Sequence, residues 1–212
     1  MNVVPIKKFS PYIVPLAENC PEFLMEQAVT ATVADICKAT GCLTTRTCFV
    51  TKKDESEYDL DLNRGLNAEL VRSVYCGGVQ VESARLDELD RRFGLEDWRP
   101  ASGIPRYYTF LKPARIIFCP APAEEMFVTV TVTCSVNRDT QTVPDFFLND
   151  YLDVVVNGAL ARIYRVAGQT YTNVRLADEC QKKYEDGLKD IQRDVYRDFT
   201  RSTGRVFYNR IV

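Results

Sequence analysis

Apolar residues recur every third or fourth position through the last third of the chain and every second position in its middle. From Pro144 to Val166 the run PDFFLNDYLDVVVNGALARIYRV predicts one continuous helix. Thr142 stands where a cap belongs, Pro144 suits a first turn, Asp145 lies three residues past the cap, and Gly168 follows the end. Asp145, Asp150 and Asp153 sit toward the positive end of the helix dipole, Arg162 and Arg165 toward the negative end. Phe146, Phe147, Leu148, Tyr151, Leu152, Val154, Val155, Val156, Leu160 and Ile163 nearly circle the axis, the pattern of a helix buried on most sides. At ~1.5 Å per residue such a helix is roughly 33 Å long. Gly158, Ala159 and Ala161 form a small-residue patch that another helix can approach closely. With Tyr151 and Val155 they are the candidate helix-packing or subunit-contact residues. Two readings stand: the centre of a monomeric bundle, or a helix covered in part by a neighbouring subunit.

A second helix is predicted over Asn173–Thr200. Leu176, Cys180, Tyr184, Leu188, Ile191, Val195 and Phe199 make its apolar stripe. The opposite face carries acid-to-base pairs four apart at Asp178/Lys182, Glu179/Lys183 and Glu185/Lys189, read as a solvated face. Near the start, a helix is predicted over Pro21–Thr40, capped by Asn19 with Glu22 three residues on and ended by Gly41. Met25, Val29, Val33 and Ile36 form its stripe. Residues 1–18, punctuated by Pro5, Pro11 and Pro15, read as an extended arm.

The middle has a period of two. Phe127–Val136 places Val128, Val130, Val132, Cys134 and Val136 on one face and Thr129, Thr131, Thr133 and Ser135 on the other. Cys48–Thr51, Glu57–Leu62, Tyr107–Leu111 and Ala114–Cys119 also read as strands, and Gly77-Gly78 is a hairpin turn between Leu70–Cys76 and Val79–Glu82. Ser83–Gly94 reads as a short helix or turn. The predicted fold class is α+β: a helical bundle from the N-terminal helix and two long C-terminal helices, with an inserted small antiparallel β-sandwich or barrel-like domain. Its divisions are an arm and helix at 1–45, a β-rich domain at 46–140, the helical pair at 141–201 and a tail at 202–212.

Composition narrows the chemistry. The net charge of −2 argues against a dedicated nucleic-acid binder. A 46% hydrophobic fraction and the absence of any apolar run near ~20 residues describe an ordinary globular protein without a spanning helix, and no membrane partner is expected. The N-terminus lacks a signal-peptide core, so manufacture in a cytoplasm and free thiols are expected. The chain has no histidine, which removes imidazole-based nucleophilic catalysis and imidazole zinc sites. The eight cysteines include no CxxC pair, and neither metal nor cofactor is expected. The best enzymatic reading is a carboxylate site at Asp54, Glu55, Glu57, Asp59 and Asp61, weighed against a solvated strand face. A third reading is a binding module for a protein or glycan, with Trp98, Arg99, Tyr107 and Tyr108 lining a site. The tail, STGRVFYNRIV, mixes apolar side chains with Arg205 and Arg210 and holds no acid. Apolar residues at a chain end are costly to leave in water, so this tail docks either on its own sheet or on a partner.

The order of elements from Ala114 to Gln192 resembles the head-to-tail adaptor (head completion, or connector) proteins of tailed bacteriophages. The resemblance is carried by Pro120-Ala121-Pro122, Pro144-Asp145, Gly158-Ala159-Leu160-Ala161, Tyr171 and Lys183-Tyr184-Glu185, and at the start by Cys20-Pro21 and Cys37. Tyr171 stands where that family often has tryptophan. The resemblance implies a structural, non-enzymatic protein in the virion neck. Copies would form a ring, commonly a dodecamer, under the portal, reached by the C-terminal residues Arg205, Val206, Phe207, Tyr208, Arg210, Ile211 and Val212. A tail nozzle or tube protein would lie below, and DNA would cross the lumen without specific binding. Family members can stay monomeric until they meet the portal.

Overall fold

The computed structural model describes residues 2–94 and 101–197. It opens with strand β1 (Val3–Pro5), a turn of 3-10 helix at Ile6–Phe9 and the one-turn helix α1 (Ser10–Ile13). The start of the chain is therefore folded rather than an extended arm. Pro11 lies in the first turn of α1, where its missing N–H costs nothing, and Ile6, Phe9 and Ile13 turn inward and are buried. Helix α2 (Glu22–Thr40) follows. Its N-cap is Pro21 without a side-chain bond, and Asn19 instead takes a left-handed turn at φ 63° that asparagine tolerates. Gly41, at φ 67°, ends α2 by donating its N–H to the Cys37 carbonyl at 2.9 Å.

The sheet strands are β2 (Thr44–Val50), β3 (Glu57–Asp59), β4 (Leu66–Cys76) and β5 (Val79–Ser83), then, after helix α3 (Leu86–Phe93), β6 (Ser102–Gly103), β7 (Tyr107–Leu111), β8 (Arg115–Cys119), β9 (Ala121–Pro122), β10 (Phe127–Val136) and β11 (Thr142–Pro144). Seven of them form one sheet in the order β2-β10-β4-β5-β7-β8-β3. The sheet is mixed, not wholly antiparallel. The chain crosses over through α3 between β5 and β7, so that Glu82 pairs with Tyr107 and Ser83 with Tyr108 in parallel register. It curls until its two edges approach, and Phe49 of β2 stacks on Tyr58 of β3 with ring centroids 5.1 Å apart. The alternation of β10 is as the sequence dictates: Val128, Val130, Val132, Cys134 and Val136 are all buried. Gly77 and Gly78, at φ 56° and 83°, make the β4–β5 turn that only glycine or asparagine enters readily. Helix α3 covers the far side of β8, where Leu89 packs on Ile117 and Cys119.

The stretch predicted as one helix from Pro144 is not one. Thr142–Pro144 is strand β11, whose partner is β1, with Val4 opposite Val143. Thr142 therefore caps nothing. Two helices follow, α4 (Phe146–Asn149) and α5 (Leu152–Ile163). They are separated at Tyr151, whose φ −124° and ψ 24° leave the helical region. The all-round apolar surface of the predicted helix was the sum of two shorter helices with different inward faces. Phe147 of α4 and Val155, Ala159 and Ile163 of α5 are buried, and each large side chain of this kind stabilises by about 1.5–3 kcal/mol. Helix α6 (Val174–Tyr196) agrees with the predicted second helix, and Asn173 caps it by accepting from the Leu176 N–H at 3.1 Å. The fold is α+β: α5 packs between α2 and α6, α2 also touches α6, and α2 lies across β10. One buried apolar cluster runs from the helices into the sheet.

Candidate functional site

The closest approach among the helices is built from absent side chains. A Cβ on Gly158 of α5 would stand 2.7 Å from Tyr184 Cδ2 of α6 and would also collide with Thr32 Cγ2 of α2. Four residues before it, Val154 reaches the other way, and a Cβ on Gly187 of α6 would stand 2.5 Å from Val154 Cγ2. The two helices thus exchange one bulky side chain for one glycine in each direction. Thr32 ties the junction together. Its hydroxyl donates to the Ala28 carbonyl at 2.7 Å and accepts from Arg162 Nε at 3.3 Å, while the Arg162 guanidinium pairs with Asp35. Burial, with the Asp35 charge nearby, pushes the Tyr184 hydroxyl up to about 12, partly offset by Arg162.

Of the candidate contact residues, Val155, Gly158, Ala159 and Ala161 are buried within the chain and Tyr151 is half-buried. Gly187 and Thr32 were missed. The signal for Gly187 was present as a glycine inside an otherwise regular amphipathic helix. Nothing in the sequence marked Thr32. The surface pairs predicted along α6 also rearrange. Asp178 pairs with Arg165 at 3.1 Å, Glu179 with Arg175 at 3.3 Å, and Lys189 with Asp186 at 2.7 Å.

The tail residues Arg205, Val206, Phe207, Tyr208, Arg210, Ile211 and Val212 lie outside the described residues. The last turns of α6 sit beside the end of α2, where Gln192 Nε2 donates to the Ala39 carbonyl at 3.1 Å. The opposite end of α6 borders a cleft of about 490 Å³ between the α1–α2 connection and the α5–α6 loop. Leu16, Tyr164, Tyr171 and Leu176 line it, with Glu18 at its rim. Tyr164 closes the floor by donating its hydroxyl to the Leu16 carbonyl at 2.7 Å. Leu176, placed in the apolar stripe by its spacing, is exposed here because it lies in the first turn of α6, beyond the reach of α5.

The carboxylates of the enzymatic reading do not converge. Glu57 and Asp59 lie on the exposed face of β3 and both pair with Arg115, at 3.4 and 3.2 Å. Glu55 pairs with Lys52, and Asp54 accepts from the Ser102 hydroxyl. Among the described residues no three metal-ligating side chains are placed to hold an ion. All eight cysteines are free thiols, five of them buried. The aromatic binding site does not assemble as predicted either. Successive residues of β7 face opposite ways, so Tyr108 is buried in the core while Tyr107 faces α3, with the Arg92 guanidinium 5.4 Å from its ring centre. Trp98 and Arg99 lie outside the described residues. No helix among the described residues is long and apolar enough to cross a membrane.

A comparison with models of protein families finds a match to the one described as SU10 adaptor protein, over residues 12–206. That span begins in α1, takes in the whole sheet and passes the end of α6. The search of curated proteins found no match.

Proposed function

Because the chain belongs to the SU10 adaptor protein family, structural adaptors of phages, we propose that it forms the ring joining the capsid portal to the tail. In this reading the ring is a homo-oligomer, a dodecamer, in the virion neck. Its upper contact is the portal, its lower contact a tail nozzle or tube protein, and DNA passes through the lumen without being held. The observation that carries the reading is the extent of the family match, which takes in both the helices and the sheet. One feature supports it: the chain carries almost no net charge, which suits a passage that lets a polyanion slide.

The tail residues Arg205–Val212 serve as the arm that enters the portal, since they combine apolar bulk with positive charge. Of the helix residues considered for a subunit contact, Tyr151 keeps exposed surface to offer a neighbour. The test is to mix the purified chain with purified portal and image the product. The reading requires a ring of added density on one face of the portal; portal particles unchanged by the chain reject it.

A further inference from the structure

The turn that ends α2 brings two thiols together. Gly41 takes the left-handed conformation at φ 67°, and its N–H bonds back to the Cys37 carbonyl at 2.9 Å. A helix closed in this way commonly sets the residue after the glycine against a side chain of the last turn, five positions back. Those two residues are Cys42 and Cys37, and their thiols lie within hydrogen-bonding reach of each other. Thr40 holds the turn. Its hydroxyl donates to the Ile36 carbonyl at 2.7 Å and accepts from the Cys42 N–H at 3.2 Å.

The two thiols are not equivalent. Cys37 is fully buried, while Cys42 is half-buried and lies near Arg72. Arg72 is fixed at the same turn, with Nη2 donating to the Gly41 carbonyl at 2.9 Å and Nε to Thr133 Oγ1 at 3.0 Å. A Cβ on residue 41 would stand 3.0 Å from Arg72 Nη2, so the glycine that closes the helix also makes room for the guanidinium. The negative end of a helix dipole disfavours a thiolate, and the guanidinium opposes it here. The hydrogen bond from Cys37, helped by the Arg72 charge, holds the Cys42 thiol below its ordinary range despite burial. Donating that bond, together with burial, pushes the Cys37 thiol up. A readily ionised thiol nearer the surface, with an enclosed thiol beside it, is the arrangement of an attacking and a resolving cysteine. Cys134, the third thiol nearby, is fully buried, donates to the Val132 carbonyl at 3.9 Å and is pushed up to about 11 by burial, so it stays out of the exchange.

We propose that Cys42 and Cys37 form a redox-active dithiol site whose substrate is a small-molecule disulfide. The Cys42 thiolate attacks one sulfur of that disulfide. Its S–S bond breaks, a mixed disulfide forms on Cys42 and one substrate thiolate leaves. Cys37 then attacks the Cys42 sulfur and passes its proton to the second departing thiolate. The net change oxidises two protein thiols to a Cys37–Cys42 disulfide and reduces the substrate disulfide to two thiols. The new bond closes over Gly41 and ties the last turn of α2 to the entry of β2, beside the Gln192–Ala39 contact that joins α2 to α6. The site needs no second copy and no partner, so it operates whether or not the ring forms.

The experiment incubates the reduced, folded chain with glutathione disulfide, alkylates the remaining thiols and maps the tryptic peptides by mass. Trypsin cuts after Lys38, between the two cysteines, so the bond appears as a linked peptide pair that fragmentation assigns. The parent is expected to lose two hydrogens and two alkylatable thiols, at Cys37 and Cys42, and to carry no glutathione on Cys42. Cys37→Ala is expected to stop at the mixed disulfide and keep glutathione on Cys42. Cys42→Ser is expected to leave Cys37 reduced under the same conditions, and this variant of the less buried residue serves if Cys37→Ala fails its thermal melt. Glutathione retained on Cys42 in the parent overturns the proposal. So does a parent in which Cys37 and Cys42 both stay alkylatable, or in which Cys37 pairs with Cys134 instead.

Discussion

Tyr184 of α6 lays its ring where Gly158 of α5 has no side chain, so closely that a Cβ on residue 158 would stand 2.7 Å from Tyr184 Cδ2. Thr32 of α2 closes the same space from the other side. Glycine in a helix interior ordinarily costs about 1 kcal/mol against alanine. Here it is what permits three helices to meet. Gly158→Leu is expected to lower stability by about 1–3 kcal/mol through overpacking. Urea unfolding measures this as a lower midpoint at an unchanged slope. A midpoint equal to the parent's would show that Gly158 is not at a contact.

Gly187 is the reciprocal position, and it permits a sharper test. Gly187→Ala gains helix propensity but drives its Cβ onto Val154 Cγ2. The single change is expected to destabilise. Val154→Ala removes the two obstructing methyl groups and leaves only its Cβ, 3.3 Å from the new one, so in that background Gly187→Ala should destabilise much less, its gain in helix propensity of about 1 kcal/mol offsetting the remaining tight contact. The two residues are in contact, and the interaction energy of the double-mutant cycle should be plainly non-zero. Simple additivity would mean that the helices do not meet here.

Glu69 makes stability depend on acid pH. Burial by itself would raise its carboxyl. Hydrogen bonds from Lys112 Nζ at 2.7 Å and Ser135 Oγ at 2.6 Å, with the charges of Lys112 and Lys38, more than offset this and hold it below the usual range. A folded-state value below the unfolded one contributes stability above the unfolded value of about 4.3, and that stability is lost as pH falls through the folded value. The parent should therefore lose stability more steeply than Glu69→Gln below about pH 5, and the gap between them should narrow with acid. Parallel stability–pH curves for the two proteins would contradict this.

The tail prediction concerns binding rather than folding. Deleting Thr203–Val212 removes residues outside the described ones and leaves in place every buried residue of the described cluster. The shortened chain should melt with the parent and no longer co-sediment with portal. Co-sedimentation at the parent's level would remove the tail from the portal contact.

Much of the fold was legible because local pattern and final environment agree. Along β10 the Val/Thr alternation states which face is buried, and the Gly77-Gly78 turn specifies the hairpin that follows. The Gly41 terminus of α2 could be read for the same reason. What could not be read depends on contacts distant in sequence. Nothing near Thr142 announces that Val3–Pro5 will pair with it, and that pairing converts a plausible helix cap into a strand. The break at Tyr151 was hidden because Phe146 and Phe147 fit the helical spacing of Val155 and Ala159 without sharing their axis. The parallel β5–β7 pairing required knowing that α3 crosses over rather than turns back. The alternation of the β3 acids already pointed to a solvated strand face, and only the position of Arg115 on the neighbouring strand shows how Glu57 and Asp59 are neutralised. The glycine exchange between α5 and α6 was half visible: the Gly158 patch stood out, while Gly187 was masked by the charges around it.

The central claim is that copies of this chain close into a ring on the portal. Electron microscopy of the chain mixed with purified portal tests it most directly, with copies counted around the axis. The account predicts a closed ring of identical subunits on one face of the portal, surrounding an open axial channel. Isolated copies bound without mutual contact, or portals that remain bare at saturating concentration, would contradict it.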